Sequence, residues 1–326
     1  MLHLHLTKVG TMLSLQNWSR FVQNSVKSPI VFEGVGLHTG VPVRVVLRPA
    51  PAGAGIAFRR VDLAGMPVIA ALWQNVVVSP LNTRLANADG VSVSTIEHLM
   101  AALAGCGVHN ALIDIDAAEV PILDGSAAAF VRGIVATGLE TDTAPLQAIE
   151  ILRDVTVSQG AATATLSPAT TLQIDFAIDF TDAAIGRQHK TLNMANGAFV
   201  RELCDSRTFC RSADVDAMRA QGLALGGTID NAVVVDGDKI LTPGGLRHTD
   251  EAVRHKMLDA LGDLYTAGAP ILGRYTGSRA GHAMTNLLLR ALFAQPDAWR
   301  MVRCDSNIAA RLPGVGVSQA DLVAVA

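Results

Sequence analysis

Apolar positions recur at three- and four-residue steps in Val253, Met257, Leu261 and Leu264, a spacing that predicts one buried face of a helix. Residues four apart on such a helix project along one line, so His255, Asp259 and Asp263 form a stripe of one imidazole and two carboxylates. Upstream, the pattern from about residue 23 to 93 is mostly that of strands. Val41, Val43, Val45 and Leu47 alternate with other residues, and Gly34, Gly36 and Gly40 punctuate turns. A helix is predicted from near Ser94 through Ile96, Leu99, Met100 and Leu103 until Gly105 and Gly107 stop it. A strand at 110–116 follows, and Asp124-Gly125-Ser126 turns into a second helix ending near Gly138.

Thr141-Asp142-Thr143-Ala144-Pro145 reads as a linker, and after it the order repeats. Strands are predicted at 148–157, 163–166 and 172–180, then irregular chain with short helices from 197 to 222 and a strand at 231–236. The 253–264 helix, a strand at 271–275 and a helix at 283–293 follow. His98-Leu99-Met100 through Leu103 echoes His255-Lys256-Met257 through Leu261, a weak internal repeat. The expectation is an α+β fold of two related halves, 21–143 and 144–326, each a small mixed sheet with helices on one face. Packed face to face, they would bring the two His-bearing helices to one cleft. Residues 1–20 have no clear pattern or signal-peptide core and read as an N-terminal extension.

Composition narrows the class. Half of the 326 residues are hydrophobic, yet no uncharged apolar run approaches a membrane span, so no integral membrane segment is expected. A formal net charge of −3 implies no broad basic surface for nucleic acid. The four cysteines form no CxxC pair, which suits a reducing cytoplasm and argues against a cysteine zinc site.

The chemistry rests on which polar residues can meet. A His and an Asp four apart can chelate one divalent ion, or they can be a polar stripe facing water. Ser94 and Glu97 fit a capping box, in which Glu97 satisfies a backbone N–H and His98 is an ordinary histidine. A joint reading takes His98, His255 and Asp259 as three zinc ligands with one position open for water, the usual form of a catalytic zinc. Glu97 is then the general base. His282 is either a surface or capping residue, or an acid and charge stabiliser oriented by Asp263, which is otherwise the exposed end of the stripe. His38, His109, His189 and His248 lack such partners and read as surface or turn residues.

At these residues the chain closely resembles the UDP-3-O-acyl-N-acetylglucosamine deacetylase family of lipid A biosynthesis in Gram-negative bacteria. The matching segments are GVGLHTG at 34–40, LRPAP at 47–51, STIEHLMAALAG at 94–105, EVPILDGSAAAFV at 119–131, SRTF at 206–209, LGGTIDNAVVVD at 225–236, VRHKMLDALGDL at 253–264 and GHAMTN at 281–286. The resemblance implies a layered β-α-α-β sandwich of two domains and zinc-dependent removal of the 2-acetyl group, the committed step of lipid A biosynthesis. Iron suits the same ligands in the cell. It implies His98, His255 and Asp259 as metal ligands, Glu97 as base, His282 as second acid/base and Asp263 as that histidine's partner. Thr208 becomes a donor to the oxyanion, Lys256 and Phe209 substrate contacts, and Asp175 and Phe176 a uridine-contacting pair. The partner it implies is the UDP-linked acylated glucosamine, and a cytoplasmic monomer is expected. Cys210 and Arg211 depart from the glycine and apolar residue common in the family near the acyl passage. A zinc peptidase built on HxxxD and a catalytically silent binder of nucleotide-sugar or lipid are the other readings. The absence of HExxH counts against the first, and the presence of Glu97 and all three ligands against the second.

Overall fold

The structure is a computed structural model that describes residues 22–79 and 81–325; the expected 1–20 extension lies outside them. Its helices are α1 (Glu97–Cys106), α2 (Ala128–Thr137), α3 (Ala198–Glu202), α4 (Ser212–Ala220), α5 (Glu251–Tyr265), α6 (His282–Phe293) and α7 (Ser306–Ala309). The first half holds a five-stranded sheet in the order Ile30–Val35, Pro42–Pro49, Ala111–Ile115, Ile56–Arg60, Val68–Ala70. Ile56–Arg60 and Ala111–Ile115 run parallel. Parallel neighbours need a crossover, and α1 lies in it. The second half repeats the device: Leu172–Asp179 and Ile271–Ser278 are parallel neighbours in a seven-stranded sheet, and α5 lies in their crossover. Each His-bearing helix is therefore held between a sheet and the opposite half.

The α+β fold thus stacks sheet, helices, helices and sheet, and one hydrophobic cluster runs through both halves. Val253, Met257, Leu261 and Leu264 are all buried, as their period predicts. The polar stripe is buried too: His255, Asp259 and Asp263 are each 3–4% exposed, so it does not face water. Gly262 explains how α1 comes so near, because a Cβ there would stand 2.0 Å from the Glu97 carbonyl oxygen. Gly107, with φ of 74°, caps the other end of α1 in the left-handed region.

Several sequence expectations change. The 141–145 linker is a strand, Leu139–Pro145, paired antiparallel with Val22–Val26. Edge strands Arg187–Asn193 and Trp299–Arg303 were not anticipated. The first helix starts at Glu97 rather than near Ser94, which belongs to the strand Ser92–Ser94. No described helix is long and apolar enough to cross a membrane.

Candidate active site

Where α1 and α5 touch, their histidines meet: the His98 and His255 rings are 5.0 Å apart, nearly perpendicular. His98 Nε2 and His255 Nε2 lie 3.6 and 3.4 Å from Asp259 Oδ1. Ligand atoms of the three residues fall within 4.8 Å of one another. His255 Nδ1 donates to the Ser206 carbonyl at 3.0 Å, which leaves its Nε2 lone pair directed at this point. Burial drives the His255 imidazole down to about 4 against the pull of Asp259, so the ring is neutral and fit to be a ligand. Burial also opposes the Asp259 charge, but His255, Lys256 and His282 outweigh it and hold the carboxylate well below its usual range. Its Oδ1 is buried without a hydrogen-bond partner. A buried ionised oxygen left bare beside two imidazole nitrogens fits a divalent cation.

Glu97 opens α1, but no side chain caps that helix. Its Oε2 instead accepts the Thr83 backbone N–H at 3.0 Å. The capping-box reading therefore fails: the helix start has no side-chain cap, Thr95 before it has a positive φ of 57°, and Glu97 lines the cleft. Burial raises the Glu97 pKa, His282 and His98 draw it back, and Asp259 and Asp263 push it up again. His282, first residue of α6, bonds Asp263 Oδ2 through Nδ1 at 2.9 Å, while its Nε2 lies 3.8 Å from both Glu97 Oε1 and Asp259 Oδ2. Burial opposes its charge, yet Asp263, Glu97 and Asp259 prevail and push the imidazole up to about 9. Neither His282 nor Asp263 is the surface group that the bland reading allowed.

Glu97, His98, His255, Asp259 and His282 open on a cavity of about 480 Å³ that Thr208, Phe209 and Lys256 also line. Lys256 donates to Asp259 Oδ2 at 2.7 Å, so its charge is engaged by that carboxylate. Asp175 and Phe176, expected as a uridine-contacting pair, do not line this cavity. Phe176 is 2% exposed, packed on Tyr275, and Asp175 is engaged by His189 and Arg274. Phe180, four residues on, lines the cavity instead, with its ring 5.3 Å from Phe209 in an edge-to-face pair. The other histidines are also better partnered than expected. His38 is buried, His248 bonds Asp205 at 2.9 Å, and His109 Nδ1 accepts the Asn24 N–H at 2.9 Å.

Thr83 is the residue the sequence reading missed. Its amide holds Glu97, and its hydroxyl donates to Asp263 Oδ1 at 2.5 Å. It thus ties the two carboxylates to one backbone position.

Residues 23–294 match the family model for UDP-3-O-acyl N-acetylglycosamine deacetylase. The chain belongs to this family. Among relatives named UDP-3-O-acyl-N-acetylglucosamine deacetylase, that of Phenylobacterium zucineum is 51% identical over 86% of this chain and 96% of its own length. That of Shewanella piezotolerans is 45% identical over 86% of this chain and 92% of its own. A third, from Shewanella baltica, is 43% identical over 90% and 98%. The span matched to the deacetylase family holds every side chain of the site, from Thr83 to His282.

Proposed function

We propose that the chain hydrolyses the 2-acetamido group of UDP-3-O-(3-hydroxyacyl)-N-acetylglucosamine, releasing acetate and the free amine. The observation that carries this reading is the bare Asp259 Oδ1 beside two imidazoles, with a raised-pKa glutamate and a charged histidine at its edge. His98, His255 and Asp259 would hold a divalent cation. Zinc suits two imidazoles and a carboxylate, and iron is the alternative. Bound there, the cation would polarise the acetyl carbonyl and lower the pKa of a water.

The chain's own groups do the rest. Glu97 is anchored through Oε2, so Oε1 is the oxygen that takes the proton of the attacking water. The water oxygen bonds the acetyl carbon, and Thr208 and charged His282 steady the negative charge that develops on the carbonyl oxygen. The C–N bond then breaks as the amine nitrogen takes a proton from His282 Nε2. The proton on Glu97 recharges His282 across their 3.8 Å separation. Asp263, fixed by Thr83, keeps His282 protonated on Nδ1 and aimed through Nε2. Phe209 and Phe180 offer aromatic faces to the sugar and nucleotide, and Lys256 a cation for the diphosphate once the metal shares Asp259.

The division into 21–143 and 144–326, the monomeric state and a cytoplasmic location belong to this proposal. The parallel crossovers around α1 and α5 support the division. The test is acetate release from the UDP-linked, 3-O-acylated substrate. It should be lost with a chelator, return with zinc, and be nearly absent in Glu97→Ala. Release indifferent to the chelator, or none from the native protein supplied with zinc, would refute the reading.

A further inference from the structure

One buried polar atom near the cleft has no task in this scheme. His38 lies in the 34–40 turn and is 8% exposed. Its amide donates to Glu119 Oε1 at 2.9 Å, and the Thr39 amide donates to Oε2 at 2.8 Å. Thr95 donates to the same Glu119 at 2.8 Å, which ties the turn to the residues just before α1. From the other half, the Leu225 amide donates to the His38 carbonyl at 3.1 Å and the Gly226 amide to that of Leu37 at 3.0 Å. Gly226 allows this approach, since a Cβ there would stand 2.2 Å from the Gly36 carbonyl oxygen. The imidazole is therefore mounted on a backbone fixed from both halves.

The Ala224 amide points at His38 Nδ1 from 3.4 Å, which makes Nδ1 the acceptor and leaves the proton on Nε2. Burial holds the ring below its ordinary pKa, against Glu119 and with the help of His282, so it is neutral. Nε2 is buried and has no hydrogen-bond partner. His38 lines a second cavity of about 340 Å³, walled in large part by apolar side chains such as Val215, Met218, Ile229 and Val234. This cavity shares Leu37, Leu81, Thr208 and Phe209 with the catalytic cleft. A buried N–H without a partner costs stability unless an acceptor reaches it.

We propose that His38 Nε2–H is a specificity-determining donor to an oxygen at the head of the substrate's acyl chain, the ester carbonyl or the 3-hydroxyl. The inference rests on the deacetylase reading. Its consequence is selective: an apolar cavity accepts any chain of the right girth, whereas an unmet donor discriminates against chains lacking the acceptor.

The experiment compares the zinc-loaded wild type, His38→Leu and His38→Gln on three substrates. These are the native one, an analogue whose 3-O-ester is an ether, and an analogue whose chain lacks the 3-hydroxyl. On the native substrate, His38→Leu should lose about tenfold or more in kcat/KM, chiefly through KM, and His38→Gln should regain part of it. On the analogue lacking the oxygen that His38 meets, wild type and His38→Leu should agree within about twofold. Which analogue removes the difference identifies the oxygen. Equal slowing of the variants on all three substrates, or no slowing on any, would overturn the proposal. Wild type inactive on the native substrate would overturn the deacetylase reading and this inference with it.

Discussion

The two ends of the α1–α5 pair use histidine to opposite effect. At the far end, His109 Nδ1 accepts the Asn24 amide at 2.9 Å and the Tyr265 hydroxyl donates to the Val108 carbonyl at 2.6 Å. Each polar group there is close to a backbone partner, and burial drives the imidazole down to about 4. At the near end, carboxylates and imidazoles crowd together, the His282 pKa rises to about 9, and Asp259 Oδ1 has no partner. The difference teaches that a buried histidine alone says little. A backbone partner with no unsatisfied group beside it marks a structural role, and an unsatisfied neighbour marks a place for a ligand.

If that contrast is right, mutations should separate cleanly into loss of turnover at one end and loss of stability at the other. The largest effect is Glu97→Ala, which should lower kcat about a thousandfold while metal content stays near that of the wild type. A fall below about tenfold, read by acetate release, would move the general base elsewhere.

Next is pH at the far end. The His109 pKa is depressed in the folded state, so the unfolded chain binds the proton first as pH falls below 6.5. Its contribution is complete above that value and should be lost between 6.5 and about 4, by up to about 3 kcal/mol. Urea titrations at several pH values should show a shallower acid slope for His109→Gln than for the wild type. Parallel slopes would assign the acid sensitivity to other groups.

A smaller change is expected for Thr83→Val, which keeps the amide that holds Glu97 but removes the hydroxyl on Asp263. Turnover should fall about tenfold, with the His282 limb of the pH–rate profile displaced, and Thr83→Ser should restore both. The smallest effect is Tyr265→Phe, expected to cost about 1 kcal/mol of stability with kcat unchanged. A larger loss of turnover than of stability there would erase the distinction between the two ends.

How much of this was legible follows from the range of the signal. The three-and-four period of Val253, Met257, Leu261 and Leu264 is local, so α5 was readable, as was the alignment of His255 with Asp259. The polar composition of 141–145 looked like a linker because its strand partner, Val22–Val26, is more than a hundred residues away. Thr83 carried no pattern at all. It lies just before the three-residue strand Arg84–Ala86, and its value comes from reaching Glu97 and Asp263 at once. Ile-Asp-Phe occurs twice in one stretch, at 174–176 and 178–180, so the motif alone does not say which copy reaches the cleft. Both phenylalanines fall on the same face by the two-residue period, and only position along the strand brings Phe180 to the cleft while Phe176 stays in the core. His38 looked like a turn residue, and it is one. Its burial arises because Leu225 and Gly226 of the other half close over the turn.

The central claim is that α1 and α5 hold one metal between them. It is tested most directly by the metal content of the purified wild type, His98→Ala and His255→Ala, prepared side by side and normalised to folded protein. About one zinc or iron per chain is expected in the wild type, and a large fall in each variant, because each helix supplies a ligand that the other cannot replace. Full metal content in His98→Ala alongside its loss in His255→Ala would mean that α5 binds alone, and would contradict the account.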